Sequence, residues 1–411
     1  MVPIFEDNDY KTYSNISHCV SSAHGPLALV AAPGNEDMVD MINRHIYDIR
    51  KKRVELNPRS ALDAPGYMRS SYILDGRCVR FSSGEGKAQY NESVRGHDVT
   101  ILTDITNRFK RYKLFGQELP YSPDDHFVDL KRLILALSGK ASRINVVMPY
   151  LYEAKQDNRL SRESLDCALA LKELKELGVH SIFCFEAHEP RVENAIPELG
   201  IENYPTSYMM IEKLLEDENG IVFDNEHLAI VSPDEGGMKR AVYYSSVLGL
   251  QLSTFYRQRD YSTVIDGRNP ITDICFLGDE VAGKDVLVVD DMISTGLTML
   301  QTAKQLKEKL GARRVFCACT FPLFTQGIQA FDEAYESGLI SKVYGTNLIH
   351  HSEALKTAPW YVDTDASRFI AKIIDAVNHD FSTSNLMNQT ERINELLENR
   401  QQMLEFLREK K

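Results

Sequence analysis

The sequence has no CxxC pair, no zinc-ligand spacing and no framework of paired cysteines. Its seven cysteines (Cys19, Cys78, Cys167, Cys184, Cys275, Cys317 and Cys319) are scattered and mostly embedded in apolar runs. That distribution excludes a disulfide scaffold and is expected of reduced thiols in a cytoplasmic protein. Positive charge is also short: 47 basic against 59 acidic side chains leave a net charge of −12, so an extended surface for nucleic acid or an anionic membrane is not expected. The opening MVPIFEDNDYK is acidic and lacks an apolar leader core, and the longest early apolar run, LALVAA, is far too short to span a bilayer. Short-period repeats and low-complexity tracts are missing as well.

What remains is an ordinary soluble composition, 43% hydrophobic and 26% charged, in 411 residues. That length suits two domains of about 200 residues each, or one large α/β domain with additions. Short β-branched runs alternate with helical patterns: LALVAA before NEDMVDMINRHIYDI, INVVMPY before SRESLDCALALKELKELG, HLAIVSP before MKRAVYYSSVLG, and DVLVVDD before LTMLQTAKQLKEKLG. This rhythm predicts α/β architecture with doubly wound parallel sheets, in two related halves meeting near residue 205. The expected units are 1–205, 206–375 and a helical extension over 376–411. Residues 51–77, rich in Pro, Gly and Ser breakers, read as a surface insertion. Near the end, Ile393, Leu396, Leu397, Leu404 and Leu407 form one helical stripe that predicts a docked helix.

The most informative stretch is VLVVDDMISTGLTM, Val286 to Met299. Parallel strands open at their carboxyl ends onto a ligand crevice, which places Asp290 and Asp291 at its mouth. Ser294, Thr295 and Gly296 are small enough for close backbone approach, and a helix starting near Leu297 aims free N–H groups and its positive dipole end at the loop. Such a loop suits a phosphate. The neighbouring acids suit a pair of vicinal hydroxyls instead, because an ionised carboxylate only accepts hydrogen bonds. A diol close to a phosphate describes a ribose 5-phosphate. An apolar strand ending in acids also occurs in nucleotide hydrolases, where the acid holds magnesium, but that chemistry needs a GxxxxGK[ST] loop. The near-match GDEVAGKD, Gly278 to Asp285, carries Asp in place of the hydroxyl and leads into a strand rather than a helix.

VLVVDDMISTGLT resembles the phosphoribosyl-diphosphate motif shared by phosphoribosyltransferases and ribose-phosphate diphosphokinases. Further stretches, in the synthetase order, favour the second. VRFSSGEGKAQYNESVRG is similar to F-x-D-G-E followed by E-S-V-R-G, which implies that Phe81 and Glu85 hold adenine, often for a neighbouring subunit, with Ser83 replacing the family Asp. MPYLYEAKQDNR resembles P-Y-x-x-Y-A-R-Q-D-R, with Lys155 in the place of an ATP-contacting Arg and Gln156 beside it. FCFEAHEPRVENAIP resembles the D-L-H segment, which implies a metal-linked role for His188, with Glu186 and Arg191 as departures. IVSPDEGGMKRA closely matches V-S-P-D-x-G-G-x-x-R-A and implies that Asp234 lies near metal and ribose. In FYRQRDYSTVIDGRNP, Arg257 and Arg259 stand where the family carries a mobile loop with a Lys-x-Arg pair.

The resemblance implies two domains of the phosphoribosyltransferase type, ATP and ribose 5-phosphate as substrates, Mg2+ as cofactor, and a homo-oligomer, hexameric in the family. Asp290 and Asp291 would grip the ribose hydroxyls, and Ser294, Thr295, Gly296, Leu297 and Thr298 the 5-phosphate. His188 and Asp234 would place magnesium, while Arg257 and Arg259 would neutralise the diphosphate. Two other readings stay open. A non-catalytic, synthetase-associated regulator would explain departures confined to the ATP side, and a phosphoribosyltransferase would share the ribose loop.

Overall fold

The computed structural model describes residues 23–56, 58, 66–156, 159, 162–217, 220–259 and 271–409. In chain order the first unit carries β1 (Leu27–Ala31), a hairpin of β2 (Gly76–Arg80) and β3 (Gly86–Tyr90), then β4 (Asp98–Leu102). A second hairpin, β5 (Arg111–Leu114) and β6 (Gln117–Pro120), precedes β7 (Arg143–Val147), β8 (Ser181–Phe185) and β9 (Gly200–Tyr204). The second unit carries β10 (Leu228–Ser232), β11 (Leu252–Arg259), β12 (Ile271–Leu277), β13 (Asp285–Ile293), β14 (Arg314–Pro322), β15 (Lys342–Thr346) and β16 (Tyr361–Thr364). The described helices used below are α1 (Glu36–Leu56), α2 (Pro123–Leu137), α3 (Asp166–Glu176), α4 (Ser207–Asp217), α5 (Met238–Leu248), α6 (Leu297–Lys304), α7 (Gln329–Glu336), α8 (Ser367–Asn378) and α9 (Thr390–Glu409).

The strands form a parallel sheet in the order β1-β4-β7-β8-β9 and a larger one in the order β12-β11-β10-β13-β14-β15-β16, where only β12 runs antiparallel to its neighbour. Central strands such as β4, β7 and β10 are buried along their whole length, as a sheet covered by helices on both faces requires. Local signals agree with the boundaries. Ser122 caps α2 in a reciprocal capping box with Asp125, with Pro123 just inside. Gly249 ends α5 at φ 64°, a left-handed position that glycine occupies without a Cβ clash. Along α3 Leu171 and Leu174 are buried, while Leu169 is 55% exposed. No helix of the described residues is long and apolar enough to cross a membrane.

One apolar core runs through both units, from Leu29 and Ile46 through Phe185 and Tyr204 to Leu287 and Ile370. Helix α8 follows the last strand of the second sheet yet packs on α1 of the first unit. Its buried Asp375 accepts from Arg50 Nε at 2.9 Å and Arg53 Nη2 at 2.5 Å, and Asn378 Oδ1 accepts from Arg50 Nη2 at 2.7 Å. Burial opposes ionisation of Asp375, but Arg53, His379 and Arg50 outweigh it and hold its carboxyl far below the usual range. Beside this staple, Arg143 makes a two-pronged pair with Asp98 and also reaches Asp380.

Residues 51–77 do not form a surface insertion throughout. Residues 51–56 complete α1, and Tyr67 and Tyr72 are buried against the Arg50 guanidinium, whose charge faces both rings. The expected boundary at 375 also falls inside α8. The extension beyond it docks as the stripe predicted, with Ile393 and Leu396 buried as α9 packs on α4 and α5. The side chains of Leu404 and Leu407 lie outside the described residues.

Candidate active site

The carboxyl ends of strands from both sheets meet around a cavity of about 360 Å³. Strand β13 delivers Asp290 and Asp291, and the turn after it contributes Ser294, Thr295 and Gly296 before Thr298 in α6. The turn after β10 brings Asp234, the turn after β8 His188, the loop after β7 Lys155, and β11 itself Arg257. Ten of the positions singled out in the sequence therefore come together here, drawn from 144 residues of chain.

The phosphate-type loop is held from outside. Gly296 sits at φ 84°, and a Cβ there would come within 2.4 Å of the Phe331 ring, so only glycine fits. Gly237 has an ordinary φ of −78° but little room, since a Cβ would meet Ser232 Oγ at 2.9 Å and Val289 O at 3.2 Å. Asp234 Oδ1 accepts from the Gly236 N–H at 2.9 Å, which fixes that carboxylate over the turn.

Charge in the crevice is unbalanced. Burial, then Asp291 and Asp234, raise the Asp290 carboxyl to about 8. Asp291 is buried too, but a 2.8 Å hydrogen bond with His188 Nδ1 and the Arg240 charge hold it below the ordinary range. Converging acids that resist joint ionisation suit a ligand that brings cations or hydroxyl donors. Among the described residues no group of three or more His, Cys, Asp and Glu forms a metal cage. The side chains that could lend an oxygen or nitrogen to a cation here are His188, Asp234, Asp290 and Asp291.

The sequence reading missed the Glu186–Arg240 pair. Glu186, in a left-handed conformation at φ 41°, accepts from Arg240 Nε at 3.1 Å and from the Thr206 N–H at 3.0 Å. The pair joins the end of β8 to α5, and so steadies the turn that carries His188 across the boundary between the units. Arg240 lay in plain sight within IVSPDEGGMKRA; its burial beside the acids was the unreadable part.

Some expected residues take other partners or stand outside the cavity. His188 Nδ1 stands 2.8 Å from Asp291 Oδ2. Arg257 is not on a mobile loop: it is an inward-facing position of β11, opposite Ile274 of β12. Its guanidinium donates to Pro233 O, Gln301 Oε1 and Thr298 O, which ties the Asp234 turn to α6. Arg259 ends β11, with its side chain and the following residues 260–270 outside the described residues. Phe81, 49% exposed, and Glu85, which accepts from Ser83 Oγ at 2.8 Å, stand at the β2–β3 turn and do not line the cavity. Gln156 and the 57% exposed Leu297 are also absent from its walls.

Residues 29–178 match the N-terminal domain of ribose phosphate pyrophosphokinase, and residues 200–352 match the phosphoribosyl transferase domain. The chain is 30% identical over 271 residues to the ribose-phosphate pyrophosphokinase of Chlorobaculum tepidum, covering 66% of this chain and 75% of that protein. It belongs to the ribose-phosphate pyrophosphokinase family. The Vibrio parahaemolyticus ribose-phosphate pyrophosphokinase is 29% identical over 320 residues, 76% of this chain and 91% of its own length. The phosphoribosylpyrophosphate synthetase of Mycobacterium smegmatis superposes with a TM-score of 0.67 at 21% identity, covering 86% of this chain and 99% of that one, and shares the fold.

Proposed function

We propose that this member of the ribose-phosphate pyrophosphokinase family transfers a diphosphoryl group from ATP to ribose 5-phosphate, giving 5-phosphoribosyl 1-diphosphate and AMP. The observation that carries the reading is the acid pair Asp290–Asp291 beside the amide loop Ser294–Thr298, at the crevice where both sheets end. Asp290 and Asp291 accept from the ribose hydroxyls, and the loop N–H groups hold the 5-phosphate. The sugar 1-hydroxyl attacks the β-phosphorus in line. An O–Pβ bond forms, the Pα–O–Pβ bridge breaks with its electrons leaving on AMP, and the hydroxyl proton is released. Lys155 and Arg259 are assigned to the nucleotide phosphates, where positioning and charge compensation govern the rate. His188 and Asp234 would hold magnesium, which supplies further neutralisation of phosphate charge when bound.

Phe81, Glu85 and Gln156 stay assigned to ATP. With Phe81 and Glu85 away from the crevice of their own chain, their adenine would belong to a neighbouring copy, so the proposal carries a homo-oligomer with it, hexameric by family resemblance. The test is purified protein with ATP, magnesium and ribose 5-phosphate, followed for AMP and phosphoribosyl diphosphate, with light scattering for the assembly. A second reading, a non-catalytic regulator, is favoured by the Arg257 guanidinium being committed to backbone and side chains of its own unit. Sugar-phosphate binding without turnover, together with an altered rate of an added synthetase, would select it.

A further inference from the structure

Arg108, on the turn after β4 in the first unit, reaches across to the second unit and donates to Leu323 O at 3.3 Å and Phe324 O at 3.0 Å. Those carbonyls belong to two consecutive peptide groups whose own N–H ends are also engaged. The Phe324 N–H donates to Ile293 O at 3.0 Å, and the Thr325 N–H donates to Ser294 O at 2.9 Å. Phe324 adopts φ 43°, which turns both carbonyls towards one guanidinium fork rather than alternating them as a strand would. Its ring is buried edge-on to Phe331 at 4.9 Å and Trp360 at 5.7 Å, which holds that conformation.

The receiving peptide groups are those of the loop assigned to the sugar phosphate. A trans peptide is planar, with N–H opposed to C=O. Tying the Ile293 and Ser294 carbonyls to the outer loop therefore turns the Ser294 and Thr295 N–H groups the other way, towards the cavity that these two residues line. Each path runs from a guanidinium N–H to a carbonyl, through that peptide's N–H to a second carbonyl, and ends on an N–H facing the ligand. Hydrogen bonds in series polarise one another, and a cation at the head of the series strengthens the last donor.

We propose that Arg108 is a positioning residue for the anion subsite: through the Leu323–Phe324 and Phe324–Thr325 peptide groups it orients and polarises the Ser294 and Thr295 amides that receive the 5-phosphate. The role rests on the ribose-phosphate reading above for the identity of the ligand, but not for the relay itself. It also gives the first unit a hand in sugar-phosphate affinity without touching the sugar phosphate.

The test compares wild type with Arg108→Ala and Arg108→Lys. Backbone amide spectra of the full chain without ligand report the relay directly: Arg108→Ala moves the Ser294 and Thr295 amide protons upfield, and Arg108→Lys, with charge but no fork, moves them part of the way. Calorimetry with ribose 5-phosphate shows a five- to tenfold loss of affinity for Arg108→Ala. In the assay KM for ribose 5-phosphate rises alike, while kcat and KM for ATP stay within twofold. Unchanged amide shifts and unchanged affinity in Arg108→Ala overturn the proposal. If wild type itself takes up no ribose 5-phosphate, the functional reading fails, and the amide shifts still decide the relay.

Discussion

On the side of the crevice assigned to ribose phosphate, Asp290, Asp291 and the loop up to Thr298 come from one unbroken stretch, backed by the buried Phe331 ring that leaves no room for a Cβ at Gly296. The groups assigned to the nucleotide come instead from separate elements: the β2–β3 turn, the loop after β7, and the end of β11. One side is fixed by local chain geometry. The other is assembled from places whose relation only the finished fold sets, and it carries the substitutions Ser83, Lys155 and Arg257.

The sharpest way to break this contrast is at Arg259. If it meets the departing phosphate, Arg259→Ala lowers kcat on the order of a thousandfold, as for a removed arginine finger, and leaves ribose 5-phosphate affinity intact. Steady-state kinetics with both substrates varied decide it; equal turnover in the variant removes Arg259 from the chemistry. On the opposite side, Asp291→Asn weakens ribose 5-phosphate binding by about 1.5–3 kcal/mol, the usual size of a charge-assisted hydrogen bond, with ATP binding nearly unchanged in titration calorimetry. Equal sugar-phosphate affinity would withdraw the diol assignment.

Arg257 tests which side a residue belongs to. Because it ties the Asp234 turn to α6, Arg257→Ala should raise KM for ribose 5-phosphate by about tenfold, or about 1.4 kcal/mol, more than it changes kcat. A loss confined to kcat would return Arg257 to the nucleotide side. The smallest effect concerns Asp290. Its folded-state value is raised, so the protonated carboxyl stabilises the fold fully at acid pH, below the unfolded value of about 4. That contribution is lost as pH rises towards 8. Asp290→Asn should therefore raise the Tm of the ligand-free protein by a few degrees more at pH 8 than at pH 5, in scanning calorimetry. A pH-independent change would mean that the carboxyl is not held protonated.

The same contrast marks how much the sequence disclosed. The form of the loop assigned to ribose phosphate was legible because strand, acids, turn and helix start follow one another within fourteen residues, Val286 to Met299, and each has a local physical reason. The two parallel sheets were legible from the alternation of apolar runs and helical periods. Arg257 was misplaced because its charge outweighed a pattern that was present: Ser253, Phe255 and Arg257 face inward, while Tyr256 and Gln258 face out, which is the period of a strand. Glu186–Arg240 and Arg108 with the 323–325 loop could not be found that way. Their partners lie 54 and more than 200 residues apart, and no local rule reports such meetings.

The staple between Arg50 and Asp375 spans 325 positions of sequence, and this sets an order of assembly. While the chain is being made, the first unit waits with the face of α1 uncovered and two arginines without their acid until α8 has left the ribosome. At about 5–20 residues per second, that delay lasts some tens of seconds. The first unit is thus the earliest made and among the last completed, and a chain cut short before α8 would leave its oldest part, rather than its newest, open to aggregation.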